Sequence, residues 1–141
     1  MAEVEATTER VGQLLTDWLG TVEEVAGGFN VADGPFLARV SFSDLGGDHT
    51  AVDIRSPVAF DVPIGSELFM WVAFQADAYA FGHVGCLDNG DGTAFVSVRH
   101  SLLGDTIDSE ELQLAVTAVA MTAADLVETV TSVFGGDGPE T

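Results

Sequence analysis

The chain has 141 residues and sets 23 Asp and Glu against four Arg and no Lys, a formal net charge of −19. That length suits one domain over residues 1–141 with a sizeable core, and the charge disfavours nucleic-acid backbones and anionic membrane surfaces as partners. No run reaches the roughly 20 unbroken apolar residues of a membrane span, and a lone cysteine cannot form an internal disulfide, which points to a reducing, cytoplasmic setting.

The first residues, MAEVEATTER, are acidic and polar where a secretory signal is basic and then apolar. From residue 8 to 26, Val11, Leu14, Leu15, Trp18, Leu19, Val22 and Val25 recur at helical spacing. Thr7 or Thr8 is the expected cap and Gly27-Gly28 the expected stop. From Pro35 the period changes to two, with Phe36, Ala38, Val40 and Phe42 on one face and Leu37, Arg39, Ser41 and Ser43 on the other. A turn at DLGGDH returns the chain as a strand over 49–56. Pairing Ser43 with His49 would put Arg39 opposite Asp53. VAFDV then makes a short third strand.

Ser66 is the expected cap of a helix over 66–78 that is apolar almost all round, and such a helix is buried on two sides. Strands FGHVGCL and AFVSVRH flank a hairpin tip. Asp108 and Glu111 form a capping box. The last helix presents Leu112, Ala115, Val116, Val119, Ala120, Ala123, Leu126, Val127 and Val130 on one face and ends at Phe134-Gly135-Gly136. The expected fold is α+β: an antiparallel sheet of four to five strands packed with helices, in the order α-β-β-(β)-α-β-β-α. Its core covers about 8–136, with the acidic N-terminal end and the tail DGPET frayed.

The stretch DNGDGTA invites a calcium reading, but counting from Asp88, ligand positions 3 and 5 are Gly90 and Gly92 and position 12 is Arg99. Turn chemistry accounts for every glycine. Cys86 has no lysine nearby to stabilise a thiolate and reads as inert. His83 and His100 can be diagonal neighbours on one sheet face, yet no third or fourth metal ligand accompanies them. His49, beside Asp48 at a turn, reads as a solvated loop residue. No nucleophile elbow, phosphate loop or separable carboxylate pair is present. The chain reads as neither an enzyme nor a metal or cofactor protein.

Apolar residues make up 47% before the 16 glycines are counted, a surplus that suits a covered surface and most simply a homodimer. Arg39, Arg55 and Arg99 all fall within strands at positions facing away from the helices. They either neutralise neighbours such as Asp53 or form a positive island for a carboxylate-bearing partner.

The segments FLARVSF, VDIRSPV, ELFMWVAFQADAYAFG and SLLGDTIDSEELQLAVTAVAMTAADL, closing with FGG, give the chain a texture that resembles the YbjN and type III secretion chaperone-like superfamily over roughly residues 8–136. The resemblance implies a dimeric α+β protein that holds extended peptide segments and catalyses nothing. It implies a dimer interface on the middle helix, at Leu68, Phe69, Trp71, Val72 and Phe74. It also implies a client surface that includes Leu14, Trp18, Phe29 and Phe36, to which the reading adds Arg39, Arg55 and Arg99. The expected function is a non-enzymatic peptide- or protein-binding module, without nucleic acid or membrane. The alternative is a small-ligand-binding or regulatory sensor domain.

Overall fold

The computed structural model describes residues 2–34 and 36–139; Pro35, the expected start of alternation, and Glu140–Thr141 of the tail lie outside the described residues. Helix α1 runs Ala2–Leu19, strands β1 Glu23–Val25, β2 Gly28–Asp33, β3 Phe36–Gly46 and β4 His49–Pro63 follow, then α2 Ser66–Phe74, β5 His83–Asp88, β6 Thr93–Leu103 and α3 Ser109–Val133. The six strands form one antiparallel sheet in the order β1-β2-β3-β4-β6-β5. The α+β class is as expected, and the sheet is wider than expected by one N-terminal hairpin.

That hairpin replaces the last third of the expected first helix. Gly20, at φ 86°, takes the left-handed conformation that ends a helix, and its N–H closes on the Thr16 carbonyl at 2.8 Å. Val22 and Val25 therefore leave the helical stripe and enter β1 or its approach. Thr7 and Thr8 do not cap: both lie inside α1, and Thr8 Oγ1 donates back to the Val4 carbonyl at 2.7 Å. At β2, Gly28 is set by a close approach, since a Cβ there would lie 1.9 Å from the Val40 carbonyl oxygen.

The expected third strand is the far half of β4, which continues through an irregularity between Pro57 and Val62. Helix α2 stops at Phe74, shorter than expected, and its cap position is Gly65 rather than Ser66, with no side-chain cap. The cap of α3 is as expected: Asp108 Oδ1 accepts from the Glu111 N–H at 2.8 Å. Where fraying was expected, Asp137 exchanges two backbone hydrogen bonds with Phe60, at 2.7 and 2.8 Å.

Helices α1 and α3 cover one face of the sheet. Val40, Val52, Ile54, Val58, Val96 and Val98 from the strands meet Val11 and Leu15 of α1 and Leu112, Ala115 and Val119 of α3, all buried. By length and composition α3 is long and apolar enough to cross a membrane, which the absence of an unbroken apolar run had not suggested. Here it lies along the sheet with its Ala- and Val-rich stripe buried.

Candidate functional site: the uncovered face of the sheet

Among the described residues the opposite face of the sheet carries no helix. Strand alternation sends Arg39, Arg55 and Arg99 to it, and the register sets them side by side. Arg39 pairs with Arg55, and Arg55 with Arg99, on three adjacent strands. The row continues to Asn30 on one side and His83 on the other. This corrects the expected pairing of Arg39 with Asp53: Gly46 rather than Ser43 pairs with His49, so Asp53 lies opposite Ser41.

Three bands therefore run across the strands. A polar band holds Ser41, Ser43, Asp53 and Ser101, in which Asp53 accepts from Ser43 at 3.2 Å and from Ser101. The basic band comes next. Arg99 reaches Asp53 at 3.4 Å, Arg39 Nε donates to the neutral Asn30 Oδ1 at 3.1 Å, and Arg55 has no ion pair or side-chain hydrogen bond among the described residues. Beyond it lies an apolar band of Leu37, Pro57, Phe60 and Phe95. Phe60 stacks on Phe95 with ring centroids 5.0 Å apart and an interplanar angle of 15°.

Two hollows occupy this face. One of about 250 Å³ is lined by Arg39, Ser41, Asp53, Arg55 and Arg99. The other, of about 530 Å³, adjoins it and is bordered by Arg39, Arg55, Leu37, Pro57, Phe60 and Phe95. Sequence reasoning missed the aromatic half of this site. By strict alternation Phe60 belongs with Ile54 and Val58 on the covered face. The register shift after Pro57 buries both Val58 and Ala59 and turns Phe60 outward. Pro57 inside a strand was the available signal.

The remaining expected client residues lie elsewhere. Leu14 and Trp18 pack partly buried against the core, and Phe29 is itself core, meeting Phe42 edge-on at 6.1 Å. Phe29 also floors a groove of about 500 Å³ between α1 and the β1–β2 hairpin, whose rim carries Glu5, Glu9 and Glu24. Trp18 and Phe36 border a small hollow beside α3. None of these four shares a surface with the arginine row.

At the β5 edge of the sheet stands α2. Leu68 is buried and Trp71 and Val72 pack on the core, Trp71 against Phe134 at 5.8 Å. Phe69, Met70 and Phe74 face outward, Phe74 at 78% exposure, with Leu87 of β5 also exposed. The helix is thus buried on one side within this chain rather than two.

The residues with chemical potential do not converge. His83 and His100 are not on one face, because His83 pairs with Arg99 and so shares the open face, whereas His100 points to the helix side. There His100 Nδ1 accepts from the Gly82 N–H at 3.0 Å, and burial, with His83 nearby, holds its pKa below the usual value. Burial and Asp88 push the Cys86 thiol up. The DNGDG carboxylates are turned on their own backbone: Asp88 accepts from Gly90 N–H at 2.8 Å and Asp91 from Thr93 N–H at 3.1 Å. Among the described residues no group of three or more His, Cys, Asp or Glu gathers as a metal cluster.

An antiparallel sheet covered on one face by the first and last helices, with the middle helix at its edge, defines an α+β architecture. The chain is similar in structure to a chain of the ExsC–ExsE complex, with 15% identity, a TM-score of 0.64, and 87% of this chain and 95% of that one covered. It is also similar to YbjN from E. coli, with 16% identity, a TM-score of 0.54, and 84% and 89% covered. The chain therefore shares its fold with these two structures. No family model matches the chain, and no curated protein matches it in sequence.

Proposed function

We propose that this protein is a non-enzymatic protein-binding module that holds an extended segment of a partner, and that it works as a homodimer in the reducing cytoplasm. The observation that carries the reading is the uncovered sheet face, whose apolar hollow of about 530 Å³ lies open and has no helix residue in its lining. A sheet face with side-chain pockets suits an extended chain, which offers alternate side chains to one surface. The shared fold with a chain of a two-protein complex supports the same reading.

The dimer reading rests on α2 and the free edge of β5. In a chain of charge −19, residues 68–87 carry a single carboxylate, Asp77. Two copies can meet there with little like-charge repulsion, burying Phe69, Met70, Phe74 and Leu87. Light scattering of native protein is expected to give twice the chain mass. Phe74→Asp, at a position exposed in the monomer, is expected to halve it with unfolding midpoint unchanged at low protein concentration. A monomeric wild type, or an unaffected mass in the variant, would remove α2 from the interface.

Mass spectrometry of material copurifying with gently isolated protein tests the binding reading. One recurrent protein partner in stoichiometric amount supports it. A clean protein with nothing bound, stabilised instead by a small molecule, moves the assignment to a ligand sensor, for which the same hollow has a suitable volume.

A further inference from the structure

The arginine row is costly as built. Arg39, Arg55 and Arg99 are three of only four cationic side chains in a chain with 23 acids, and they stand in direct cross-strand register. Like charges directly opposite one another destabilise a sheet. An arrangement serving stability alone would set each arginine opposite one of the many carboxylates. Only Arg99 reaches a carboxylate, at 3.4 Å, while Arg39 bonds a neutral amide and Arg55 is unpaired among the described residues. A destabilising cluster with one long ion pair among its three cations is the signature of a surface kept for a ligand.

We propose that this band recognises an acidic partner: an extended segment in which Asp or Glu alternates with apolar residues. The proposal rests on the protein-binding reading above and names the chemistry of the segment held. Planar guanidinium groups bind carboxylates through paired charge-assisted hydrogen bonds. Adjacent strands are about 4.8 Å apart, so the row offers guanidinium groups over about 10 Å. Carboxylates two residues apart on an extended chain are about 6.7 Å apart, close enough for two of them to be taken at once. With the segment lying edge-on between the two bands, its carboxylates turn to the arginines and the intervening apolar side chains, pointing the opposite way, turn to the parallel band of Leu37, Pro57, Phe60 and Phe95. Two carboxylates stand close by: Asp53, which Arg99 already engages, and Glu23, which lines the apolar hollow and accepts from Asn30, while Arg39 and Arg55 reach no carboxylate among the described residues. The other acids act at longer range, and at about 0.15 M salt the screening length of ~8 Å weakens their repulsion. A nucleic-acid strand would carry phosphate along its whole length past those acids and is the less suited anion.

The test is fluorescence anisotropy with a labelled dodecapeptide alternating Asp or Glu with Leu or Val, against the same peptide with Asn and Gln in place of the acids. A third probe is a single-stranded oligonucleotide of equal length. Wild-type protein is expected to bind the acidic peptide at least about tenfold more tightly than its amide counterpart. The double variant Arg39→Gln, Arg55→Gln is expected to lose that preference while its Tm stays at or above that of the wild type. Equal binding of the two peptides, a preference that survives in the double variant, or tighter binding of the oligonucleotide overturns the proposal. The copurified partner separates the two levels of argument. Capture undiminished by the double variant refutes the arginine band and leaves the binding module standing. No partner and no peptide bound refutes both.

Discussion

The two faces of this sheet are made by the same strands and obey different constraints. On the covered face Val40, Val52, Ile54, Val96 and Val98 are fully buried, and each is accounted for by the apolar area it removes from water. One residue away on each strand, Arg39, Arg55 and Arg99 line up at a cost to stability that burial does not explain. The contrast teaches where to look for function in a chain without catalytic motifs. The informative face is the one whose composition works against the fold.

The contrast can be broken most severely at Ile54, next to Arg55 on β4 and wholly buried. Ile54→Ala is expected to lower stability by about 2–5 kcal/mol, seen as a reduced urea midpoint with unchanged slope. Thr50 refines the picture of the same face, being fully buried with an Oγ1 that has no partner among the described residues. Thr50→Val is expected to raise stability by about 1 kcal/mol in the same titration, since it removes an unsatisfied polar atom.

On the open face the sign reverses for a charged residue. Arg55→Thr relieves repulsion from both neighbours and is expected to stabilise by about 0.5 kcal/mol. A loss of stability would mean that Arg55 has an internal role and would end the comparison.

The smallest effect lies at the sheet's end, outside both faces. His49 Nδ1 and Asp105 Oδ2 are 2.6 Å apart, and Asp105 also accepts from the Thr50 N–H at 3.0 Å. The hydrogen bond that His49 Nδ1 donates to the Asp105 carboxylate raises the His49 pKa. The His49 bond, then the Thr50 N–H, lower that of Asp105. The histidine contribution is complete below about pH 6.5 and is lost as pH rises through the raised folded value. The aspartate contribution is complete above about pH 3.9 and is lost as pH falls through the lowered one. Both are present between these limits. A chemical-shift titration should place His49 above about 6.5, and Asp105→Asn should return it toward that value.

Much of the fold is legible in the residues. The α3 stripe, its Asp108 cap, the DNGDG hairpin tip and the in-and-out alternation of β3 follow from local periodicity and turn chemistry. The β1–β2 hairpin was hidden because Val22 and Val25 extend the helical spacing of α1 past Gly20. A left-handed glycine there and a helix interior glycine at Gly12 look alike in a string of letters. Gly12 instead lets α1 approach the ring of Phe29, which a Cβ would meet at 2.6 Å.

What the sequence by itself determined is which side chains share a face: period two sends all three arginines to one side of the sheet whatever the register. Only the tertiary structure decided their neighbours. Pairing Gly46 rather than Ser43 with His49 moves Arg39 from Asp53 to Arg55, and a shift near Pro57 turns Phe60 outward beside them. Register depends on the turn and on packing against helices distant in sequence, so lateral alignment is a property of the assembled sheet and not of any one strand.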